Sequence, residues 1–192
     1  ETVTDEVLKA MSDTQTPQGI LALAKQYHYG LKDLLSQSGA AHFIVLERLQ
    51  DPGNLGTILR AGEAAGITGV IMDSQTADIY NPKVIRSTMG AVFRVPFVYV
   101  EDLKAALLQL KDHGVHLYAA HLKGQNPYDQ EDYTESTGFL IGNEAQGLSD
   151  EIASLADTYV KIPMAGSVES LNAAIASSVL MFEVARQRRN QK

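Results

Sequence analysis

The chain has 192 residues, 45% of them hydrophobic and 20% charged, with 15 Gly and 6 Pro. Such values exclude a disordered, collagen-like or coiled-coil polypeptide and allow one large domain, or one domain plus an appendage, with a sizeable core. There is no Cys, which excludes a disulfide scaffold, zinc–thiolate and iron–sulfur sites and a thiol nucleophile. No apolar run approaches the roughly 18 residues of a membrane span and no signal-peptide pattern opens the chain, so a cytoplasmic protein is expected. The 23 acids and 16 bases give a net charge of −7. A field of that sign repels nucleic acid, so an RNA or DNA partner would have to be met by local patches.

In chain order, residues 1–40 come first, with helical pieces flanking the turn-rich SDTQTPQG stretch at 12–19. This reads as a connector or the end of an upstream domain, in keeping with a first residue, Glu1, that is not Met. From residue 42 short β-like runs alternate with amphipathic helices. Strands are expected at 42–47, 68–73, 95–100, 115–120, 138–142 and 158–162, each short, apolar and rich in β-branched residues. Helices are expected at about 54–65, 81–89, 101–113, 149–156 and 170–189. In the last, Leu171, Ile175, Val179 and Phe182 recur at helical spacing. Segment 124–137 is polar, carries four acids, and reads as a solvated surface loop. The alternation predicts an α/β fold with a parallel sheet of about six strands and helices on both faces.

Three segments depart from an ordinary α/β connection. In ERLQDPGNLGTILRAGEAAG (47–66) a tight turn hands the first strand to a helix, with Asn54 placed to cap it and Arg60 six residues on. In FLIGNEAQGLSDEI (139–152) a strand runs into Gly142, Asn143 and Glu144, then Gly147 and a helix that opens at Ser149. In VKIPMAGSVESLNAAIASSVLMFEVARQRR (160–189) a strand ends in Ile162, Pro163 and Met164, and a small-residue loop leads to a helix beginning Ser170-Leu171-Asn172. Each has a plain reading as a capped helix or an ordinary turn. Phosphate-loop and dinucleotide fingerprints are both missing, since GxxxxG is followed by Leu-Ser and no GxGxxG follows any strand.

Taken together, DPGNLGTILRAGEAAG, LIGNEAQGLS and IPMAGSVESLNAAIA resemble, in order and spacing, the three signature motifs of the SpoU (TrmH-like) branch of the SPOUT RNA 2′-O-ribose methyltransferases. The resemblance covers about residues 42–189, and Ser87-Thr88-Met89-Gly90 matches text common in ribosomal-RNA members. It implies methyl transfer from S-adenosylmethionine to a ribose 2′-OH of structured RNA, ribosomal RNA ahead of transfer RNA. It also implies a C-terminal trefoil knot, a cofactor cleft built from the knot loops, and a homodimer packed through the knotted region. Residues 41–192 would then be the catalytic domain, and 1–40 the remnant of an RNA-recruiting domain.

Carried over by position, the cofactor cleft would comprise Ala120, His121, Ile141, Gly142, Asn143, Gly147, Leu148, Ile162, Pro163, Met164 and Leu171. The catalytic set would be Asn54, Arg60, Glu144, Ser170 and Asn172. Arg60, oriented by Asn54 and Glu144, would bind the acceptor phosphate or stabilise the developing alkoxide, because a guanidinium is a poor base at neutral pH.

Local positive charge lies in Lys83, Arg86 and Arg94 and in the tail RQRRNQK (186–192), which reads equally as RNA-binding or as bases complementing a helix C-terminus. The aromatic residues are scattered, with no stacking platform visible. His28, His42, His113, His116 and His121 show no metal-ligand pattern, and no metal is expected. Two rival readings remain: a non-catalytic RNA- or ribosome-binding module that retains the fold, and a doubly wound nucleotide-dependent enzyme.

Overall fold

The computed structural model describes every residue except 13, 123, 125 and 192. Seven strands form one wholly parallel sheet: β1 (His42–Leu46), β2 (Gly69–Asp73), β3 (Phe97–Val100), β4 (His116–Ala120), β5 (Asn126–Pro127), β6 (Thr137–Ile141) and β7 (Thr158–Lys161), in the order β3-β2-β1-β6-β4-β7-β5. The helices are α1 (Asp5–Met11), α2 (Leu31–Leu35), α3 (Pro52–Ala65), α4 (Pro82–Thr88), α5 (Leu103–Asp112), α6 (Asp150–Ala153) and α7 (Ala173–Arg189).

The pleat of β1 explains the layering. Ile44 and Leu46 pack with Leu55, Ile58 and Leu59 of α3 and Leu180 and Met181 of α7. Phe43 and Val45 point the other way, into a second core with Leu107 and Leu110 of α5 and Ile152 of α6. A strand buried on both faces reads as a continuous apolar run, which is what HFIVL is. Leu34 of α2 joins the second core, whereas α1 buries no residue.

The six expected strands are present with ends moved by one or two residues. The seventh, β5, falls in the segment expected to be a solvated loop. That loop is anchored by Tyr133, which is fully buried beside the rings of Tyr118 and Phe139. The Tyr133 hydroxyl donates to the Tyr128 carbonyl, and its N–H donates to the Gln187 side chain at 2.8 Å. Two tyrosines in a polar stretch are a weak sequence signal, yet here Tyr133 fixes the segment.

Two helix starts also differ from expectation. Asp51, not Asn54, caps α3: its carboxylate accepts from the Asn54 N–H at 2.7 Å, leaving the Asn54 side chain free to reach elsewhere. Asn172 caps α7, which begins at Ala173, so Ser170 and Leu171 lie in the preceding loop. The apolar repeat of α7 is not its core face. Ile175 and Phe182 are about half exposed, and burial falls on Ala174, Ser177, Leu180, Met181 and Val184.

The basic tail is largely structural. Arg186 pairs with Glu183. Arg188 donates to the backbone carbonyls of Ala40, Ala41, Tyr133 and Glu135. Lys192 lies outside the described residues.

Candidate active site

All strands point the same way, so the loops leaving their C-terminal ends meet on one side of the sheet, where ligands of open α/β folds bind. The loop after β6 is a tight reversal. Asn143 and Gly147 exchange backbone hydrogen bonds, the Asn143 carboxamide oxygen accepts from the N–H groups of Ala145 and Gln146, and Gly147 takes φ +70°. Gly142 lies against the returning chain so closely that a Cβ there would fall 2.1 Å from Gly147 C and Leu148 N. No other residue type fits this position.

The loop after β1 grips this reversal. Glu144 accepts hydrogen bonds from the N–H groups of Gln50 and Asp51 and from the Asn54 carboxamide at 3.0 Å. Partial burial pushes the Glu144 carboxyl up, but these donors outweigh it and hold the group below its ordinary range. On the other side the Asn172 carboxamide donates to Asn54 Oδ1 at 2.9 Å. Asn54 therefore bridges the loops after β6 and β7, and the three unusual sequence segments meet in space.

Beneath this network lies a cavity of about 840 Å³. Ala120, His121, Ile141, Gly142, Asn143, Gly147, Leu148, Ile162, Pro163, Met164 and Leu171 all line it, as do Glu144, Ser170 and Asn172. His121 donates its N–H to the Val160 carbonyl and tilts its ring against Tyr159. Asn54 stands at the rim through its two side-chain bonds. Arg60 does not line the cavity. It is exposed on α3, and among the described residues its guanidinium has no hydrogen-bond or ion-pair partner, so neither Asn54 nor Glu144 orients it. Asn54 instead uses both ends of its carboxamide on Glu144 and Asn172.

Two residues of this region were missed in the sequence. Glu47, at the end of β1, accepts the Ser149 N–H at 2.7 Å and donates its own N–H to the Ile141 carbonyl. Arg48 takes a left-handed backbone (φ +53°), and its carbonyl accepts from the Asn143 carboxamide at 2.8 Å. The signal available for Glu47 was an acid closing an otherwise apolar strand; nothing in the sequence marks Arg48. Lys161, Leu122 and Glu169 also line the cavity. Among the described residues no group of three or more His, Asp or Glu gathers that could hold a metal ion, and no helix is long and apolar enough to cross a membrane.

Comparison with known proteins gives a consistent set of matches. The family model for the SpoU rRNA methylase family matches residues 41–182. The 23S rRNA (guanosine(2553)-2′-O)-methyltransferase RlmP of Bacillus subtilis strain 168 is 32% identical over 182 residues, which are 95% of this chain and 71% of the relative. The crystal structure of the AdoMet-bound rRNA methyltransferase from Sinorhizobium meliloti superposes with a TM-score of 0.88 at 35% identity, over 95% of this chain and 70% of that one. For the SpoU methyltransferase AviRb from Streptomyces viridochromogenes the TM-score is 0.78 at 34% identity, over 84% and 65%.

Proposed function

Because this chain belongs to the SpoU rRNA methylase family, we propose that it transfers a methyl group from S-adenosylmethionine to a ribose 2′-hydroxyl of structured RNA, with ribosomal RNA preferred. The observation that carries this reading is the cavity beneath the Asn54–Glu144–Asn172 network. Its volume lies within the range of small-molecule sites. Ile141, Leu148, Ile162 and Leu171 offer apolar walls, and the close packing of Gly142 on the returning Gly147–Leu148 chain brings two stretches of main chain to the cavity, which suits an adenine read by main-chain groups.

In this reading residues 141–148 and 162–164, with Ala120, His121 and Leu171, hold the donor. The donor supplies an electrophilic methyl group on sulfur. The work left to the chain is to orient the acceptor oxygen, exclude water and manage one proton. Glu144 is kept ionised by its three donors and fixes Asn54, which in turn fixes Asn172 beside Ser170. Arg60, unpaired and exposed, is available to the acceptor's phosphate or to the developing alkoxide.

Residues 41–192 form the catalytic domain, residues 1–40 a connector or the remnant of an RNA-recruiting domain, and the C-terminal part threads through a loop as a trefoil knot. The strand order supports the threading, since β7 lies between β4 and β5 although it follows both in the chain. A homodimer packed through this region accounts for Ile175 and Phe182, two large apolar side chains seven residues apart on the exposed side of α7.

Calorimetry with S-adenosylmethionine tests the reading: micromolar binding with one site per chain is expected, and no heat with properly folded protein overturns it. Single-turnover methylation by Arg60→Lys then tests the role of the guanidinium. A large rate loss with an unchanged pH profile is expected. A near-wild-type rate that follows the ionisation of the new amine would replace electrostatic stabilisation with base catalysis.

A further inference from the structure

Five bases among the described residues pair with a carboxylate, Arg186 with Glu183 being one of them. Lys104 faces Glu151, Lys111 faces Asp157, Arg48 faces Glu47 and Arg94 faces Glu63. Arg60, Lys83 and Arg86 differ: all three are exposed, and among the described residues none has a side-chain partner. The fold places them together. α4 packs on α3 so tightly that a Cβ on Gly56 would fall 1.7 Å from Ser87 Oγ, and just beyond α4 the Arg94 guanidinium closes on Glu63. Arg60 lies one turn after Gly56 and one turn before Glu63, hence beside the α4 contact. Lys83 and Arg86 stand three residues apart on α4. Glu63, the acid on this side of α3, is taken by Arg94, so the face keeps three uncompensated positive charges on a chain of net −7.

Apolar side chains next to these cations in the chain are exposed as well. Ile85, Met89 and Phe93 follow at four-residue intervals and are 36%, 68% and 55% exposed. Met89 holds a left-handed backbone (φ +51°) and Gly90 another (φ +86°). A non-glycine residue in that region is uncommon and is found where the surrounding structure imposes it. Met89 is held out into solvent there, and Phe93, four residues on in the chain, is exposed as well.

We infer that this α3–α4 face binds a single-stranded segment of the RNA substrate, with a base stacked on Phe93 and Met89 and phosphates along Arg60, Lys83 and Arg86. The inference rests on the function proposed above. Positively charged tracks with interleaved aromatic and apolar platforms are how single strands are held, and sequence-reading contacts to RNA fall mostly on unstacked bases. Three cations without side-chain partners among the described residues favour a polyanion as the occupant.

The test uses the full chain, a fluorescein-labelled mixed-sequence 12-nucleotide RNA followed by anisotropy at 50 to 200 mM salt, calorimetry with S-adenosylmethionine, and sedimentation. Phe93→Ser should weaken RNA binding roughly tenfold, the range expected for losing one stacked base. Lys83→Ala with Arg86→Ala should lower the log–log salt slope by about 1.4, at about 0.7 per lost phosphate contact on a single strand. Binding of S-adenosylmethionine and the sedimentation coefficient should stay at wild-type values in both variants. RNA affinity and salt slope unchanged in the variants overturn the inference, as does wild-type protein that ignores the RNA at 50 mM salt. Loss of self-association with RNA binding intact overturns it in favour of an interface between copies. Wild-type protein that fails to bind S-adenosylmethionine counts against the proposed function, so the two failures are separable.

Discussion

Both ends of the sheet carry polar side chains and use them in opposite ways. At the N-terminal ends of the strands, Arg188 directs four of its five N–H donors to backbone carbonyls, and His42 lies buried close by. At the C-terminal ends, Asn54, Glu144 and Asn172 bind one another across three loops while the surrounding main chain faces a cavity. Polarity alone therefore does not mark a site. The distinction lies in where the bonds go: into the backbone of the same fold, where they hold it, or across loops around a space, where they shape it. Substitutions at the two ends should separate stability from ligand binding.

The largest effect is expected at Gly142. Alanine there meets the backbone of Gly147 and Leu148 at 2.1 Å, which no side-chain rotation relieves. Gly142→Ala should lower unfolding free energy by about 4 kcal/mol, in the range reserved for steric disruption of a packed site, and abolish the calorimetric signal with S-adenosylmethionine. Gly114→Ala is the control. Gly114 is left-handed (φ +76°), unlike Gly142, and no atom of the described residues lies within 4 Å of the added methyl, so about 1 kcal/mol is expected and donor binding should persist.

At the opposite end, Arg188→Ala should cost about 3 kcal/mol by denaturant unfolding, because four carbonyls lose a charged donor together. Affinity for S-adenosylmethionine should be unchanged. A variant that loses donor binding while keeping its stability would break the comparison between the two ends.

His42 sharpens the same contrast through pH. Burial, then the nearby Arg188 charge, lowers its imidazole from 6.5 to about 3, and among the described residues Nε2 has no hydrogen-bond partner. The folded state keeps His42 neutral while the unfolded chain takes up a proton below pH 6.5. Stability from this group is thus complete above pH 6.5 and is lost as pH falls toward 3. Between pH 6 and pH 4 the loss should approach about 1.4 kcal/mol per pH unit. His42→Phe should flatten that slope in unfolding measured across the same range, without changing donor affinity at pH 7.5.

How much of this could be read from the sequence depends on whether a feature is local. Strands such as HFIVL carry their own pattern, because burial on both faces demands it, and the six main strands were recognisable. The cavity-lining residues were recognisable through family motifs, not through physics, since Gly142 next to Asn143 says nothing by itself about a chain returning at 2.1 Å. The misses are long-range. β5 depends on Tyr133 finding Tyr118 and Phe139. The basic tail depends on carbonyls from residues 40 to 135 converging on Arg188. The exposed face of α7 looked like its core face because Ile175 and Phe182 are apolar, whereas Ala174 and Ser177, small enough to let the helix approach the sheet, do the packing.

The smallest expected change is the one that most directly couples the two properties. Asn172 caps α7 by accepting from the N–H groups of Ala174 and Ile175, and the same carboxamide donates to Asn54. Asn172→Asp keeps an acceptor for the cap but removes the donor toward Asn54 Oδ1. The stability of α7 should therefore change by well under about 1 kcal/mol, since both residues are good caps. Asn54 would then face carboxylates on both sides, Glu144 and the introduced aspartate. Its amide nitrogen can serve only one of them, and turning it toward the aspartate would set its oxygen against Glu144. Donor affinity and single-turnover rate should fall together while the unfolding midpoint stays near wild type. Asn172→Ala, which loses both the cap and the bond to Asn54, should cost about 1 kcal/mol as well. If Asn172→Asp binds and turns over as wild type does, Asn172 acts only as a helix cap, and the network joining the three loops ends at Asn54.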